Sequence, residues 1–501
     1  MSNLSDLLPS GGGSKSAEFV ASGTLPNGTP IILNANGTVT AVSQTSTPVS
    51  ESIPAGSAVV FEQGANIPGS VAFDTNTVGK FVIVYQDTDN SQYGTAIVGS
   101  VSGTSITFGS AVVFNSAETT DFSIAFDPST AGKFVVAYKN HSASNSPAVV
   151  GTVSGTSISF GTSVAFEAST SSSFCSVSFD PNTANKFVVA YKTASPNVSR
   201  AISGTVSGTS LSFGTPVTFV NATEYISAAF DPSTAGKFVV AYRDDGNSLS
   251  GTAIVGTVSG TSITFGSAVV FNSGSQTDYI SLSFDPNTAN KFVITYTNGG
   301  GSSYGTGIIG TVSGTSVSYG SAYVFNSANT QPISASFDPS TAGKFVAAYR
   351  DFTSSLYYGT AVVGTVSGTS ISFGSKSVFN TANTNYIQMA FDPSRAGMFV
   401  VVYTNAGNSN RGTAILGQIA ATALVTNLTS TNFVGIPDKA YAASATATVV
   451  AKGGVSLNQT SLTIGTTYFV QADGTLGTSA GTPSVEAGRA ISATSLLLKG
   501  I

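Results

Sequence analysis

Residues 126–138 read FDPSTAGKFVVAY, and the same thirteen letters return at 230–242. Residues 337–349 repeat them with one change, Ala347 standing where the other two copies carry Val. The Phe-Asp pair itself recurs at Phe73, Phe126, Phe179, Phe230, Phe284, Phe337 and Phe391, giving spacings of 53, 53, 51, 54, 53 and 54 residues. Self-similarity at a nearly fixed period of this size marks a repeat architecture, here with seven copies.

Each copy holds four strand-like runs. In the second copy they are FSIAFD, KFVVAYK, AVVGTVS and SISFGTSVAF. Each is short, rich in β-branched or aromatic residues and bounded by turn residues. No segment of the repeat has helical spacing. Four strands per unit at a period in the forties or fifties predict the blade of a β-propeller. A β-helix needs shorter rungs, and separate sandwiches need about a hundred residues each. The run KFVVAY supports a ring, since Phe134, Val136 and Tyr138 point one way and Val135 and Ala137 the other. A strand apolar on both faces must be covered on both, and stacked blades do so. The expected fold is therefore all-β, a seven-bladed propeller over residues 51–423.

The ends of the repeat predict how the ring closes. The last copy runs MFVVVY and GTAILGQIAA and then has no fourth strand. Ahead of the first copy, SIPAGSAVVF (52–61) aligns with the fourth strand SITFGSAVVF (105–114). The N-terminal side thus supplies the strand that the C-terminal side lacks, leaving no unpaired edge inside the ring. Pro54 replaces Thr107 in that alignment, which an outer edge strand tolerates.

Composition narrows the function classes. Of 501 residues, 41% are hydrophobic and only 9% charged, against a usual value of about 25% charged. Net charge is −5 and no basic run occurs, so no nucleic-acid partner is expected. A single cysteine, Cys175, excludes an intrachain disulfide. With His141 the lone histidine, no His-rich or thiolate metal site is expected, and no cofactor. No run of eighteen apolar residues predicts membrane insertion. The start, MSNLSDLLPSGGGSKS, lacks the apolar stretch of a secretory signal.

The most constant letters read as structural. Asp-Pro opens a turn and fixes φ. Gly132 and its equivalents Gly79, Asn185, Gly236, Asn290, Gly343 and Gly397 are only Gly or Asn, the pattern of a left-handed residue. Asp74, Asp127, Asp180, Asp231, Asp285, Asp338 and Asp392 are expected to accept backbone N–H groups of these turns. The following Lys is Met398 in the seventh copy, which fits a solvated position. VSGTS reads as a tight hairpin between the third and fourth strands.

In a four-stranded blade, both constant turns fall on one face of the ring. The variable stretches fall on the other, and binding residues favour loops held on a rigid scaffold. Candidates there are Asp87, Tyr93, Lys139, His141, Arg243, Asp244, Asp245, Tyr279, Arg350, Phe352, Tyr357, Tyr358, Tyr386 and Arg411, whose side chains suit hydrogen bonding to sugars or polar protein surfaces. An enzyme would draw paired carboxylates from Glu118, Asp121, Glu224 or Asp278. They carry no repeated motif, and His141 has no recognisable nucleophile partner, so no enzymatic activity is expected.

Outside the ring, residues 1–17 are Ser/Gly-rich and read as a flexible or docking arm. Residues 18–50 and 424–501 carry further strands with NG turns, expected to combine into one small β domain with the propeller inserted between its halves. The opening SNLSDLLPSGGGSKSAEFVASGTLPNGTPIIL, with NGTVTAV after it, resembles the start of structural proteins of marine tailed bacteriophages. The ending, through YFVQADGTL and AGRAISATSLLLKG, is similar to the terminal module of such tail-fibre-like proteins. The resemblance covers about 110 residues of flank. It implies a virion protein made in the host cytoplasm and released by lysis. It further implies a terminal domain that anchors to other virion proteins, and a propeller displayed toward a host-surface glycan or protein, or serving as decoration.

Overall fold

Strand KFVVAY lies at the heart of each blade, and what covers its two faces sets the architecture. In the fourth copy Phe238, Val239, Val240, Ala241 and Tyr242 are all fully buried. Burial of each large apolar side chain contributes about 1.5–3 kcal/mol, and the run is buried in all seven copies. The computed structural model describes residues 15–49, 51–143, 145–168, 170–300, 302–353, 357–481 and 483–500. Those residues divide into a large unit, 48–422, and a small one built from both flanks, up to 47 and from 423.

The large unit is a seven-bladed propeller. Blade four shows the pattern. Its inner strand A, Thr223–Phe230, pairs antiparallel with B, Lys237–Asp244, and B pairs with C, Ser250–Ser259. The outer strand D is broken in two: Ser262–Phe265 pairs with one end of C and Val269–Asn272 with the other. The break falls at Gly266, where a Cβ would collide with the carbonyl of Thr315 in the next blade. Gly109 meets Thr156 in the same way, and so does Gly56 with Thr104.

Seven inner strands contact one another in a closed cycle, the seventh (Thr384–Phe391) meeting the first, which is the second half of Val59–Phe73. Neighbouring inner strands are stitched by serine hydroxyls. Ser176 Oγ accepts the N–H of Ala228, Ser227 Oγ that of Leu282, and Ser281 Oγ that of Ala335, at 2.9–3.0 Å. Closure follows the expected interlock. Ser52 bridges Gln418, Ala55 donates to Leu416, and Val59, Val60 and Glu62 pair with Ala414, Thr413 and Gly412 of the last C strand, Arg411–Gln418.

The constant turns hold blade to blade. All seven Gly-or-Asn positions have positive φ, between 61° and 73°. In each blade one Asp oxygen, Oδ1, accepts the N–H two residues on, as Asn76 donates to Asp74 at 2.9 Å. The other oxygen divides the blades into two kinds. In blades one, three and five, Asp74, Asp180 and Asp285 use Oδ2 to accept the N–H of Gly132, Gly236 and Gly343 in the next blade. These are the copies with Asn two residues after Asp, and Asn76, Asn182 and Asn287 reach the next blade's proline carbonyl. The other copies carry Ser there. Its hydroxyl takes the neighbour's N–H instead, as Ser129 does for Asn185, and Oδ2 of Asp127, Asp231, Asp338 and Asp392 has no hydrogen-bond partner among the described residues.

The constant Lys is partly exposed, and in three of its six copies it also clasps the next blade, while Lys80, Lys133 and Lys344 reach Ser100, Thr152 and Thr365 of their own blade. Lys186, Lys237 and Lys291 each reach a carbonyl in the next blade's C–D turn, at Gly260, Gly314 and Gly368. Met398 breaks the series because Arg395, in place of Thr, takes over across the seam. Its Nη2 donates to Val101 O at 2.7 Å and its Nη1 to Gly103 O at 3.4 Å.

The small unit interleaves the two flanks. One sheet runs, in spatial order, Ser16–Val20, Thr446–Ala451, Phe433–Pro437, Ile31–Leu33 and Val39–Ala41. The arm expected over residues 1–17 is therefore shorter, because Ser16 and Ala17 already pair with Val450 and Val449. Residues 1–14 lie outside the described residues. A second sheet is wholly C-terminal, from Val455–Ser456 to Leu496–Leu498. Phe433, Ile436, Tyr468, Val470 and Leu496 pack in one core with Ile32 and Val42 of the N-terminal flank.

Candidate functional site

Five residues before the Phe of each Phe-Asp pair stand Pro68, Asp121, Phe174, Tyr225, Tyr279, Pro332 and Tyr386. They open the inner strands at the variable end of the ring. The A–B ladder slips in register there in every blade. The slip is a bulge, a device that re-aims a side chain at a strand end. Asp121, Phe174, Tyr225, Tyr279 and Tyr386 all have φ between 50° and 52°. Left-handed geometry costs a bulky residue about 1–3 kcal/mol, so repeating it in five blades calls for a compensating use. The rings assemble into a partial collar: Phe174 and Tyr225 are 5.5 Å apart, Tyr225 and Tyr279 4.9 Å. Tyr386 is 47% exposed.

Strand B contributes cations beside this collar. Arg243 is held by three carboxylates, Glu224 at 2.6 Å, Asp245 at 2.7 Å and Asp278 of the next blade at 2.5 Å. Its guanidinium also lies 5.1 Å from the Tyr225 ring centre. Burial alone would weaken its hold on the proton, but Asp245, Asp278 and Glu224 outweigh that and raise it well above the ordinary arginine range. Lys192 adds a 3.7 Å contact to Glu224.

Two blades on, Arg350 occupies the same strand position. Its Nε donates to Gln331 O at 2.8 Å and its Nη1 to Asn385 Oδ1. The guanidinium lies 4.6 Å from the ring centre of Phe352 and 5.6 Å from that of Tyr357, and those rings are 4.3 Å apart. Here burial does lower the proton affinity, though arginine stays charged at neutral pH.

The structure thus brings together Arg243, Asp245 and Tyr279, and next to them Arg350, Phe352, Tyr357 and Tyr386. Lys139 and His141 line a separate depression of about 490 Å³ with Asn140, Thr170 and Ser171. His141 Nε2 lies 2.9 Å from Thr120 Oγ1 and its Nδ1 3.9 Å from Glu118. The remaining candidates have local work. Asp87 and Asp244 accept N–H groups of their own B–C turns, from Asn90 and Gly246 at 3.1 Å, and burial raises both carboxyls. Tyr93 and Tyr358 open strand C opposite Asp87 and Asp351. Arg411 Nε donates to Gln63 O across the closing seam. Of the four carboxylates weighed for catalysis, Glu224 and Asp278 share Arg243, Asp121 accepts the N–H of Phe174 at 3.1 Å, and Glu118 meets His141.

Sequence reasoning missed Phe174, Tyr225, Lys192, Gln331 and Asn385. Their signal is positional, a fixed offset from Phe-Asp or from KFVVAY, hidden where the strand's first turn reads as a loop. The opposite mouth of the ring holds a cavity of about 440 Å³ lined by Phe230, Phe284, Phe337 and Phe391 with Pro232, Pro286, Pro339 and Pro393.

No protein-family model and no curated protein matches the sequence. Among solved structures, the chain is similar to the BP39L lectin of Burkholderia pseudomallei at 8% identity and a TM-score of 0.52, over 72% of this chain and 100% of that one. It is also similar to the periplasmic gluconolactonase PpgL of Pseudomonas aeruginosa, at 10% identity and a TM-score of 0.44, over 72% and 98%. Chaetomium thermophilum Sqt1 bound to the N-terminus of the ribosomal protein L10 matches at 11% identity and a TM-score of 0.46, over 70% and 88%. At these identities the likeness is one of fold.

Proposed function

We propose that this chain is a bacteriophage virion protein whose propeller is a non-enzymatic binding module for a host-surface glycan, recognised at the collar on the variable face. The observation that carries the binding reading is the bulge repeated from blade to blade, which spends backbone strain to present Phe174, Tyr225, Tyr279 and Tyr386 at an open mouth. Aromatic faces beside charged hydrogen-bonding groups suit a polar ligand with apolar patches, as a sugar ring is. Binding per site is weak in this reading, and many copies on one particle supply avidity. The virion setting rests on the flanks, whose residues resemble tail-fibre-like proteins. Leu457 and Ile464, 72% and 69% exposed on the small unit, suit burial against another virion protein.

The test is a glycan array probed with the full chain and with Tyr225→Ala and Tyr279→Ala. A restricted set of glycans is expected, bound at least tenfold more weakly by both variants. Unchanged binding by the variants overturns the collar. Release of reducing ends from a bound glycan overturns the non-enzymatic part. Adsorption of particles lacking the propeller at the normal rate favours decoration without a receptor role.

A further inference from the structure

Arg243 and Arg350 are two copies of one constellation, and the three acids around the first are all absent from the second. Position for position, Glu224 becomes Gln331, Asp245 becomes Phe352 and Asp278 becomes Asn385. The frame is kept. Each arginine sends Nη1 to the residue thirty-five positions on, Asp278 in one case and Asn385 in the other. Among the described residues no carboxylate pairs with Arg350, and its Nη2 makes no hydrogen bond.

Removing one charge partner from a half-buried ion pair is costly when the other charge is left unpaired. Here all three partners are gone, yet the arginine remains. Stacking against Phe352 and the hydrogen bonds to Gln331 and Asn385 fix its plane without neutralising it. The guanidinium has Tyr357 and Tyr386 as neighbours, which are 38% and 47% exposed. A planar guanidinium held in this way matches a carboxylate by a charge-assisted, two-point contact.

We propose that Arg350 is the anion subsite of the collar, and that it takes the carboxylate of an acidic sugar. The inference rests on the binding reading above and deepens it. The Arg243 cluster, already neutralised by its own acids, is structural and holds blade four to blade five.

The experiment uses the full chain and two probes, methyl β-glucuronide and its neutral counterpart methyl β-glucoside, titrated by NMR with the Arg350 Nε–H resonance as reporter. Glucuronide is expected to shift that resonance saturably and to bind at least tenfold more tightly than glucoside. Asn385→Asp restores the missing acid without removing the arginine. It is expected to abolish the glucuronide preference while leaving the thermal midpoint unchanged or higher. Arg350→Gln is expected to lose the preference too, and Arg243→Gln, if folded, to keep it. Equal affinity for the two probes overturns the proposal, as does a glucuronide preference that survives Asn385→Asp. Sulfate competing as well as glucuronide overturns the carboxylate assignment. If the array finds neutral glycans bound through Tyr225 while glucuronide shows no advantage, the subsite fails and the binding reading stands. If Tyr225→Ala leaves all glycan binding intact, the collar fails as the binding site, and if the array shows no bound glycan, the binding reading itself fails.

Discussion

Asp285 and Asp338 occupy the same turn in neighbouring blades, and the structure predicts that changing each to Asn has unequal effects. Asp285 accepts the N–H of Asn287 on Oδ1 and that of Gly343, in the next blade, on Oδ2, both at 2.9 Å. An amide has one acceptor oxygen, so in Asp285→Asn either orientation of the new side chain sets an NH2 group against a backbone donor. The loss is one hydrogen bond to a charged acceptor, about 1.5–3 kcal/mol, and a buried N–H left without a partner. Together these give a destabilisation of about 2–4 kcal/mol. Asp338 accepts the N–H and the hydroxyl of Ser340 on Oδ1 at 3.0 and 2.7 Å, while Oδ2 is buried with no hydrogen-bond partner among the described residues. There the amide keeps its acceptor and removes an uncompensated buried charge, so the change stays within about 1 kcal/mol. The assay is urea unfolding followed by tyrosine fluorescence, the chain having 18 Tyr and no Trp. Sister variants with equal slopes are compared by their midpoints. Asp180→Asn and Asp231→Asn repeat the contrast one pair of blades earlier. Equal midpoints for Asp285→Asn and Asp338→Asn, or a lower one for Asp338→Asn, refute the division of the turns into two kinds.

Three further outcomes follow from the same contacts. Arg395→Ala removes the donors that bridge blade seven to Val101 and Gly103. It is expected to cost about 1–2 kcal/mol, and a second change, Met398→Lys, to recover part of that by supplying the clasp used in other blades; no recovery by the pair contradicts the compensation. Burial pushes the Cys175 thiol up to about 12, so it stays protonated at a pH of about 8. A thiol reagent is expected to leave the folded protein untouched and to label one equivalent after denaturation. At Asp351, burial is outweighed by the Thr353 hydroxyl and N–H, Asn326 and Lys376, and the carboxyl titrates below its ordinary value. A depressed carboxyl contributes stability above its unfolded pKa of about 3.9 and loses it as pH falls through the folded value. Acid unfolding monitored by circular dichroism is expected to show a smaller loss below about pH 4 in Asp351→Asn than in the parent.

Strand number, blade number and ring closure were legible because they depend on patterns that survive in one dimension. A run apolar on both faces has to be covered twice, and a missing fourth strand has to be supplied from elsewhere. The role of Asp180 in accepting from its own turn was legible for the same reason, since Asn182 is two residues away. Its grip on Gly236 was not, because that contact joins residues 56 apart and depends on whether Asn or Ser follows. Lys237 looked dispensable from Met398, yet the loss is made good by Arg395, three residues off and across the seam. Tyr279 and Tyr386 of the collar were legible, while Phe174 and Tyr225 were hidden for a local reason. Tyr225 precedes a register slip, so the alternation that marks a strand fails one residue too early. Arg243 and Arg350 looked alike in sequence, and only their partners, Asp278 against Asn385, separate a neutralised arginine from an open one.

The most direct test of the binding collar is a structure of the chain with a glycan selected on the array. Density is expected across Tyr225 and Tyr279 with an acidic group against Arg350, on the face bearing the B–C turns. Density in the opposite mouth, among Phe284, Phe337 and the Asp-Pro prolines, with the collar empty, contradicts the collar as the binding site.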